Sequence, residues 1–253
     1  MNQLTPVAFW DRYWQRVQLP VEIHKDRVSP SVRAILDTIE RFLPRDSGCT
    51  ILEIGGAPGQ YLAYFARRFG YQAYALDYSP IGCQKLKENF RILGIPITVY
   101  HRDITGPIDD LPQFDIVYSL GLVEHFDDPL VVIQRHVELT RRGGWVIIGV
   151  PNFLGVNRWW LKVLRPDVFR WHNLSIMDVR RWDEFEQRFN LYILFRGYIG
   201  GWDPCMYAGT QLSKFQRLCC QMLIRGAQWM QRVGFPKMNS RWWSGYALGI
   251  YQR

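Results

Sequence analysis

Hydrophobic and polar positions follow two rhythms between residues 49 and 150. Apolar runs at 49–54, 72–77, 97–100, 114–119 and 145–150 predict short buried strands. Between them, 61–69, 81–93 and 130–140 carry apolar residues at helical spacing. Strands alternating with helices predict βαβ units, hence a parallel sheet with helices on both faces. Upstream, 31–43 has apolar residues at 32, 35, 36, 39, 42 and 43, a helical stripe ended by Pro44 and Gly48. Residues 9–14 set Phe9, Trp10, Tyr13 and Trp14 on neighbouring turns of another helix. Downstream the rhythm loosens. Residues 152–175 give no element, 177–189 reads as a helix, and 191–195 and 243–251 as strands. Residues 211–233 read as an amphipathic helix, with Leu212, Phe215, Leu218, Cys219, Met222 and Leu223 on one face.

The expected organisation is a single α/β domain over 1–253. An N-terminal helical cap spans 1–47, a core 48–152, and a substrate lid with the last strands 153–253. An apolar content of 48% against 21% charged residues supports a packed core. The absence of any run of 18 apolar residues excludes a membrane-spanning helix. The start of the chain lacks a basic stretch followed by an apolar one, so it does not read as a secretory leader. Five cysteines without a CxxC pair point away from zinc and from a disulfide framework. No metal and a cytoplasmic location are therefore expected.

The net charge of +8 raises the prospect of an anionic partner. The basic residues are spread out with no long run, which makes RNA a weak expectation and DNA weaker. Lys214, Arg217, Arg225 and Arg232 give the 211–233 helix a basic side, so peripheral membrane contact stays open. A lid or dimer helix would carry the same apolar stripe.

The densest chemical signal is Glu53-Ile54-Gly55-Gly56-Ala57-Pro58-Gly59, placed after a strand and before a helix. Glycines there allow a tight turn and close approach of a ligand to the backbone. A dinucleotide would place its pyrophosphate on the following helix, and the Glu53 carboxylate would repel it. A ligand with a cationic amino group and no phosphate fits better. Asp77, about twenty residues on at the end of the next strand, has the position of a ribose-binding acid. A helix N-cap before Ser79-Pro80 is its structural alternative.

These segments resemble those of class I S-adenosylmethionine (SAM)-dependent methyltransferases. Leu52–Gly59 resembles their first motif and Ala75–Pro80 their second acidic motif. Arg102–Ile104, Phe114–Pro129 and Gly143–Asn152 resemble the segments that follow, in the expected order over about 51–152. The resemblance implies SAM as cofactor and a Rossmann-like seven-stranded sheet whose last strand is antiparallel. By it, Glu53, Gly55, Gly56 and Gly59 cradle the methionine end of SAM. Asp77 holds the ribose and Tyr78 flanks the adenine, which Asp103 and Ile104 read and pack. Ser119 and Leu120 lie beneath the sulfonium. Ala57 departs from the family pattern, where many members have glycine.

An oxygen acceptor needs a base to become nucleophilic. His125, just after the fourth strand, is the leading candidate, with Glu124 beside it to orient it or to contact SAM. His172, in the loop after the fifth strand, is the second, and Tyr118 and Tyr207 are weaker ones. Ser119-Leu120-Gly121-Leu122 stands where amino-methylating DNA and protein-glutamine enzymes carry Asn/Asp-Pro-Pro-Tyr. No thiolate motif for 5-methylcytosine chemistry is present. A small metabolite, natural product or lipid-like acceptor is therefore expected. Arg158, Trp159, Trp160 and Arg165 are candidates to wall its pocket. An RNA- or protein-directed methyltransferase and a non-catalytic scaffold of the same fold remain competing readings.

Overall fold

The computed structural model describes residues 3–209, 212–232 and 238–253. In it the apolar runs become strands β1 Thr50–Ile54, β2 Gln72–Asp77, β3 Ile97–His101, β4 Phe114–Leu120, β5 Thr140–Pro151, β6 Tyr192–Trp202 and β7 Ser244–Gln252. They form one sheet in the order β3-β2-β1-β4-β5-β7-β6. Strands β1 to β5 pair in parallel, and β7 runs antiparallel to both β5 and β6. This is the seven-stranded α/β arrangement that the strand–helix alternation and the resemblance implied.

Successive residues of the central strands feed cores on opposite faces of the sheet. Leu52, Val117 and Val146 join one, packed with Ile133 and Trp182. Ile51, Ile116 and Ile147 join the other, packed with Leu36 and Phe65. Burial on both faces is why these strands read as continuous apolar runs instead of alternating ones.

The helices are α1 Val7–Gln15, α2 Pro30–Phe42, α3 Gln60–Phe69, α4 Pro80–Leu93, α5 Pro129–Leu139, α6 Gly155–Leu164, α7 Asp183–Arg188 and α8 Lys214–Arg232. Proline at the first helical position follows Ser29, Ser79 and Asp128, whose side chains each accept from a backbone N–H of the first turn.

Several boundaries differ from the sequence reading. α6 lies in the stretch that gave no element. Its buried stripe is Asn157, Leu161 and Leu164, and the polar Asn157 hides the period. The Asn157 amide earns its burial by donating to the Asn152 and Ser244 carbonyls and accepting from the Tyr207 hydroxyl. The helix expected over 177–189 is shortened to α7, because Val179–Arg181 wind a tighter turn capped by Asp178. β5 begins at Thr140, before Gly143-Gly144. Its pairing with β4 jumps from Thr140 to Trp145, and Gly143 takes φ +77° in the looped-out residues. β6 runs on to Trp202 through Gly200 and Gly201, both at positive φ. Residues 211 and 233 of the expected last helix lie outside the described residues.

α1 packs on α4: Ser79 Oγ donates to Asp11 at 2.6 Å, and Lys85 Nζ to the Val17 carbonyl at 2.6 Å. The residues before α1 form a strap across the C-terminal ends of β1, β2 and β4. Gln3 bridges Phe126, Leu4 N donates to the His125 carbonyl at 2.8 Å, and Tyr78 Oη donates to the Thr5 carbonyl at 3.0 Å.

Candidate active site

Under the strap lies a cleft at the strand ends where doubly wound sheets bind ligands. Gly55, Asp77, Tyr78, Asp103, Ile104 and His125 all line it. Thr5 and Trp10 close it from above.

The glycine turn is shaped by two crowded positions. Gly55 sits at φ +69°, and a Cβ there would come within 2.6 Å of Leu122. Gly56 lies directly against the Glu53 side chain, and a Cβ there would stand 2.0 Å from its carboxyl carbon. Gly59, at φ +84°, opens α3 and packs against Leu86 and Phe90. Glu53 is buried, and its Oε2 has no hydrogen-bond partner. Burial pushes its carboxyl up to about 8, and Tyr61, Tyr118 and Tyr246 surround it closely enough to feel its charge.

Asp77 ends β2 with its carboxyl buried. One oxygen accepts from Ser79 N at 2.8 Å, and burial raises the group to about 6. The N-cap of α4 is the Ser79 side chain, which leaves Asp77 facing the cleft. Across the cleft, Asp103 is exposed and accepts from Thr105 through Oδ1, while Ile104 is buried.

His125 stands at the far end of the cleft. The Trp171 carbonyl can only accept, so the 2.7 Å contact makes His125 Nδ1 the protonated nitrogen. The Nε2 lone pair is thereby left free, 4.0 Å from Glu124 Oε1. Thr5 Oγ1 also reaches Nδ1, at 2.9 Å. Burial pushes the imidazole down to about 3, helped by His172, whose ring centre is 4.4 Å away. His172 is fixed in the same way, its Nδ1 donating to the Val168 carbonyl at 2.6 Å. Trp10 meets the His125 ring edge-on at 5.1 Å.

Glu124 is buried, with Oε2 unpartnered and its carboxyl pushed up to about 8 by desolvation. One donor atom each from Glu124, His125 and His172 lies within 4.8 Å of the other two, the one such group among the described residues. Two imidazoles and a carboxylate are also a donor set able to hold a divalent cation. Chain spacing could not reveal this group, because more than forty residues, including α5, β5 and α6, separate His172 from the other two. The adjacent pair Glu124-His125 was its one visible signal, and nothing in the sequence tied Thr5 or Trp10 to the cleft.

Other expected residues lie elsewhere. The Ser119 hydroxyl is fully buried and bonded to His136 Nε2 at 2.9 Å, so it does not face the cleft. His136 Nδ1 in turn donates to the Val132 carbonyl, which makes the pair a structural clamp. Leu120 packs in the core that contains Tyr118. Tyr118 is fully buried edge-on against Phe65, and Tyr207 is fully buried on Asn157, so neither is a base. Arg158 and Trp159 point outward, Trp160 packs on the core, and Arg165 binds the Ala208 carbonyl. These four do not wall an acceptor pocket.

A profile described as a methyltransferase domain matches residues 24–194. A ubiquinone biosynthesis O-methyltransferase from Alkalilimnicola ehrlichii is 30% identical over 120 residues, which is 46% of this chain and 47% of that protein. Methyltransferase str3 of Strobilurus tenacellus is 26% identical over 141 residues, 54% of this chain and 48% of that protein. The chain thus spans about half the length of the curated relatives it matches. Among solved structures, geranyl diphosphate C-methyltransferase from Streptomyces coelicolor superposes with a TM-score of 0.63 at 11% identity, covering 98% of this chain and 99% of that one. Phosphoethanolamine N-methyltransferase 2 of Haemonchus contortus, solved with SAM, superposes at 0.58 and 15% identity over 86% of this chain and 51% of that one.

Proposed function

This chain belongs to the methyltransferase domain family of class I SAM-dependent enzymes, and we propose that it methylates an oxygen of a small, largely apolar acceptor. The observation that carries the reading is the free Nε2 lone pair of His125 at the end of the cleft that Asp77 and Gly55 line. Two observations support SAM as the group the cleft takes. The buried Glu53 carboxyl has an oxygen without a partner, as expected of a group awaiting a cation. Gly55, at φ +69° and pressed against Leu122, brings bare backbone to the lining of the same cleft.

SAM, when bound, supplies a methyl group activated by its sulfonium. Glu53 and the turn through Gly55, Gly56 and Gly59 hold the amino-acid end. Asp77 accepts from the ribose, and Tyr78, Asp103 and Ile104 enclose the adenine. His125 Nε2 takes the proton of the acceptor hydroxyl. Glu124 and His172 position that ring, and the roof formed by Thr5 and Trp10 keeps water away from the transfer. The O-methyltransferase among the relatives supports oxygen as the acceptor atom.

The test is methyl transfer from labelled SAM to a panel of hydroxyl, amine and RNA acceptors. Turnover of a phenol or related hydroxyl compound is expected. Transfer only to amines or to RNA overturns the assignment.

Asp77→Ala is expected to weaken SAM by about 1–3 kcal/mol, the size of hydrogen bonds lost from a charged group. Calorimetric titration measures it, and unchanged affinity would remove Asp77 from the cofactor site.

The raised carboxyls of Glu53 and Asp77 also set a pH dependence. Both fold as neutral acids above their ordinary pKa, so they favour the free folded protein at low pH. That contribution is lost as pH rises through about 6 for Asp77 and about 8 for Glu53. The cofactor's ammonium and ribose hydroxyls favour the ionised forms, so binding expels protons. Calorimetry near pH 7 in buffers of different ionisation enthalpy should register proton release, with affinity rising from about pH 5.5 to 7.5. Proton uptake, or affinity flat with pH, would contradict it.

A further inference from the structure

The apolar face expected of the last helix is in fact two faces. Cys219, Cys220, Leu223 and Ala227 of α8 turn inward, with Cys220 and Ala227 buried. Phe215, Leu218, Met222 and Trp229 are more than half exposed. At 100° per residue those four fall within an arc of about 60°. α6 repeats the pattern: Val156, Trp159 and Val163 stand at the same i, i+3, i+7 spacing and are exposed. The two helices meet where the Gln216 amide donates to the Leu164 carbonyl at 3.1 Å. Exposed Trp242 adjoins the start of α6, its carbonyl accepting from Val156 N at 2.8 Å. A continuous run of large apolar side chains is thus left facing solvent.

Charge decides what covers it. No Asp or Glu occurs after Asp203, whereas seven Lys and Arg do. α6 likewise has Arg158 and Lys162 and no acid, and both are exposed. On α8 the exposed Lys214, Arg217 and Arg225 flank the outward stripe on the side away from the core. Two copies of this chain meeting here would bring basic rim onto basic rim. An RNA would leave the central apolar stripe without a partner. An anionic bilayer surface satisfies both parts, taking the rings and aliphatic groups between its chains and the basic groups among its headgroups.

We propose that the outward faces of α6 and α8 dock this protein on a membrane surface rich in anionic lipid. The docking is peripheral, since no helix among the described residues is long and apolar enough to cross a bilayer.

The test is flotation of the full chain with vesicles of phosphatidylcholine with and without phosphatidylglycerol. Binding is expected only with the anionic lipid. It should fall at least about tenfold on raising salt from about 0.1 to 0.5 M, and by a similar factor in Phe215→Ser/Met222→Ser. A second variant, Lys214→Glu/Arg217→Glu, should lose the same binding. SAM affinity, read by calorimetry, should stay unchanged in both, which separates docking from folding and from the proposed reaction. Failure to float with phosphatidylglycerol vesicles overturns the proposal. So does binding that both variants retain, or a dimer seen by sedimentation that Phe215→Ser dissolves, or a preference for RNA over vesicles.

Discussion

Gly56→Val should abolish measurable SAM binding, a loss of at least about a hundredfold, while the sheet remains folded. A Cβ at this position would lie 2.0 Å from the Glu53 carboxyl carbon and 2.3 Å from one of its oxygens. No real contact is that short, so the carboxyl must leave or the turn must open. Neither is easy, because Glu53 is buried among tyrosines and Gly55 next door already touches Leu122. Overpacking of this kind costs about 1–3 kcal/mol, and misplacing a charged partner of the ligand costs about as much again. Gly56→Ala meets the same Cβ clash with fewer atoms and should fall between. Calorimetric titration reads the affinity, and thermal unfolding checks that the variant is folded. Native affinity in a folded valine variant would show that the Glu53 carboxyl has no part in holding the cofactor.

His125→Ala should slow methyl transfer by about 10²–10⁴, the usual worth of a general base. SAM affinity should change by no more than about threefold, because Asp77, Glu53 and the glycine turn are untouched. Burial keeps the resting imidazole neutral and holds its basicity low, so the loss should fall at the lower end of that range. Its tautomer is held by the Trp171 carbonyl, so Nε2 keeps its lone pair free. His125 also bonds Thr5 of the strap. His125→Gln, which keeps the size and a hydrogen bond, serves as the control for that second role. It should restore the strap and not the rate. Turnover that survives in the alanine variant would leave positioning alone to carry the reaction.

The parts of the molecule that show in the sequence are those where one local rule decides the outcome. Strands buried on both faces must be apolar throughout, so β1, β2, β4 and the centre of β5 stand out. Gly55, Gly56 and Gly59 show because a turn this crowded admits nothing larger. Asp77 shows because the next turn follows it at fixed spacing. What stayed hidden depends on contacts far apart in the chain. α6 is masked by Asn157, whose burial makes sense only once Tyr207 and Ser244 stand beside it. Ser119 matches a family segment, yet it serves His136 across the helix layer. Trp159 looked like pocket material because its exposure cannot be read from composition. Residues 3–10 carry no motif, and their place over the cleft is set by Phe126, His125 and Tyr78.

The position of β7 bears on how this chain is assembled at the ribosome. β7 lies between β5 and β6, although β6 precedes it in the chain. Until residues 244–252 have been made, β6 has no neighbour to pair with and the outer edge of β5 stays open. The first five strands can zip together as they emerge, whereas the sheet closes only by capturing two strands at once. That step joins residues about forty to a hundred apart and is expected to be the slow one. Throughout the wait, an unpaired edge of Val146, Ile148 and Val150 is open to chaperones, or to a neighbouring nascent chain.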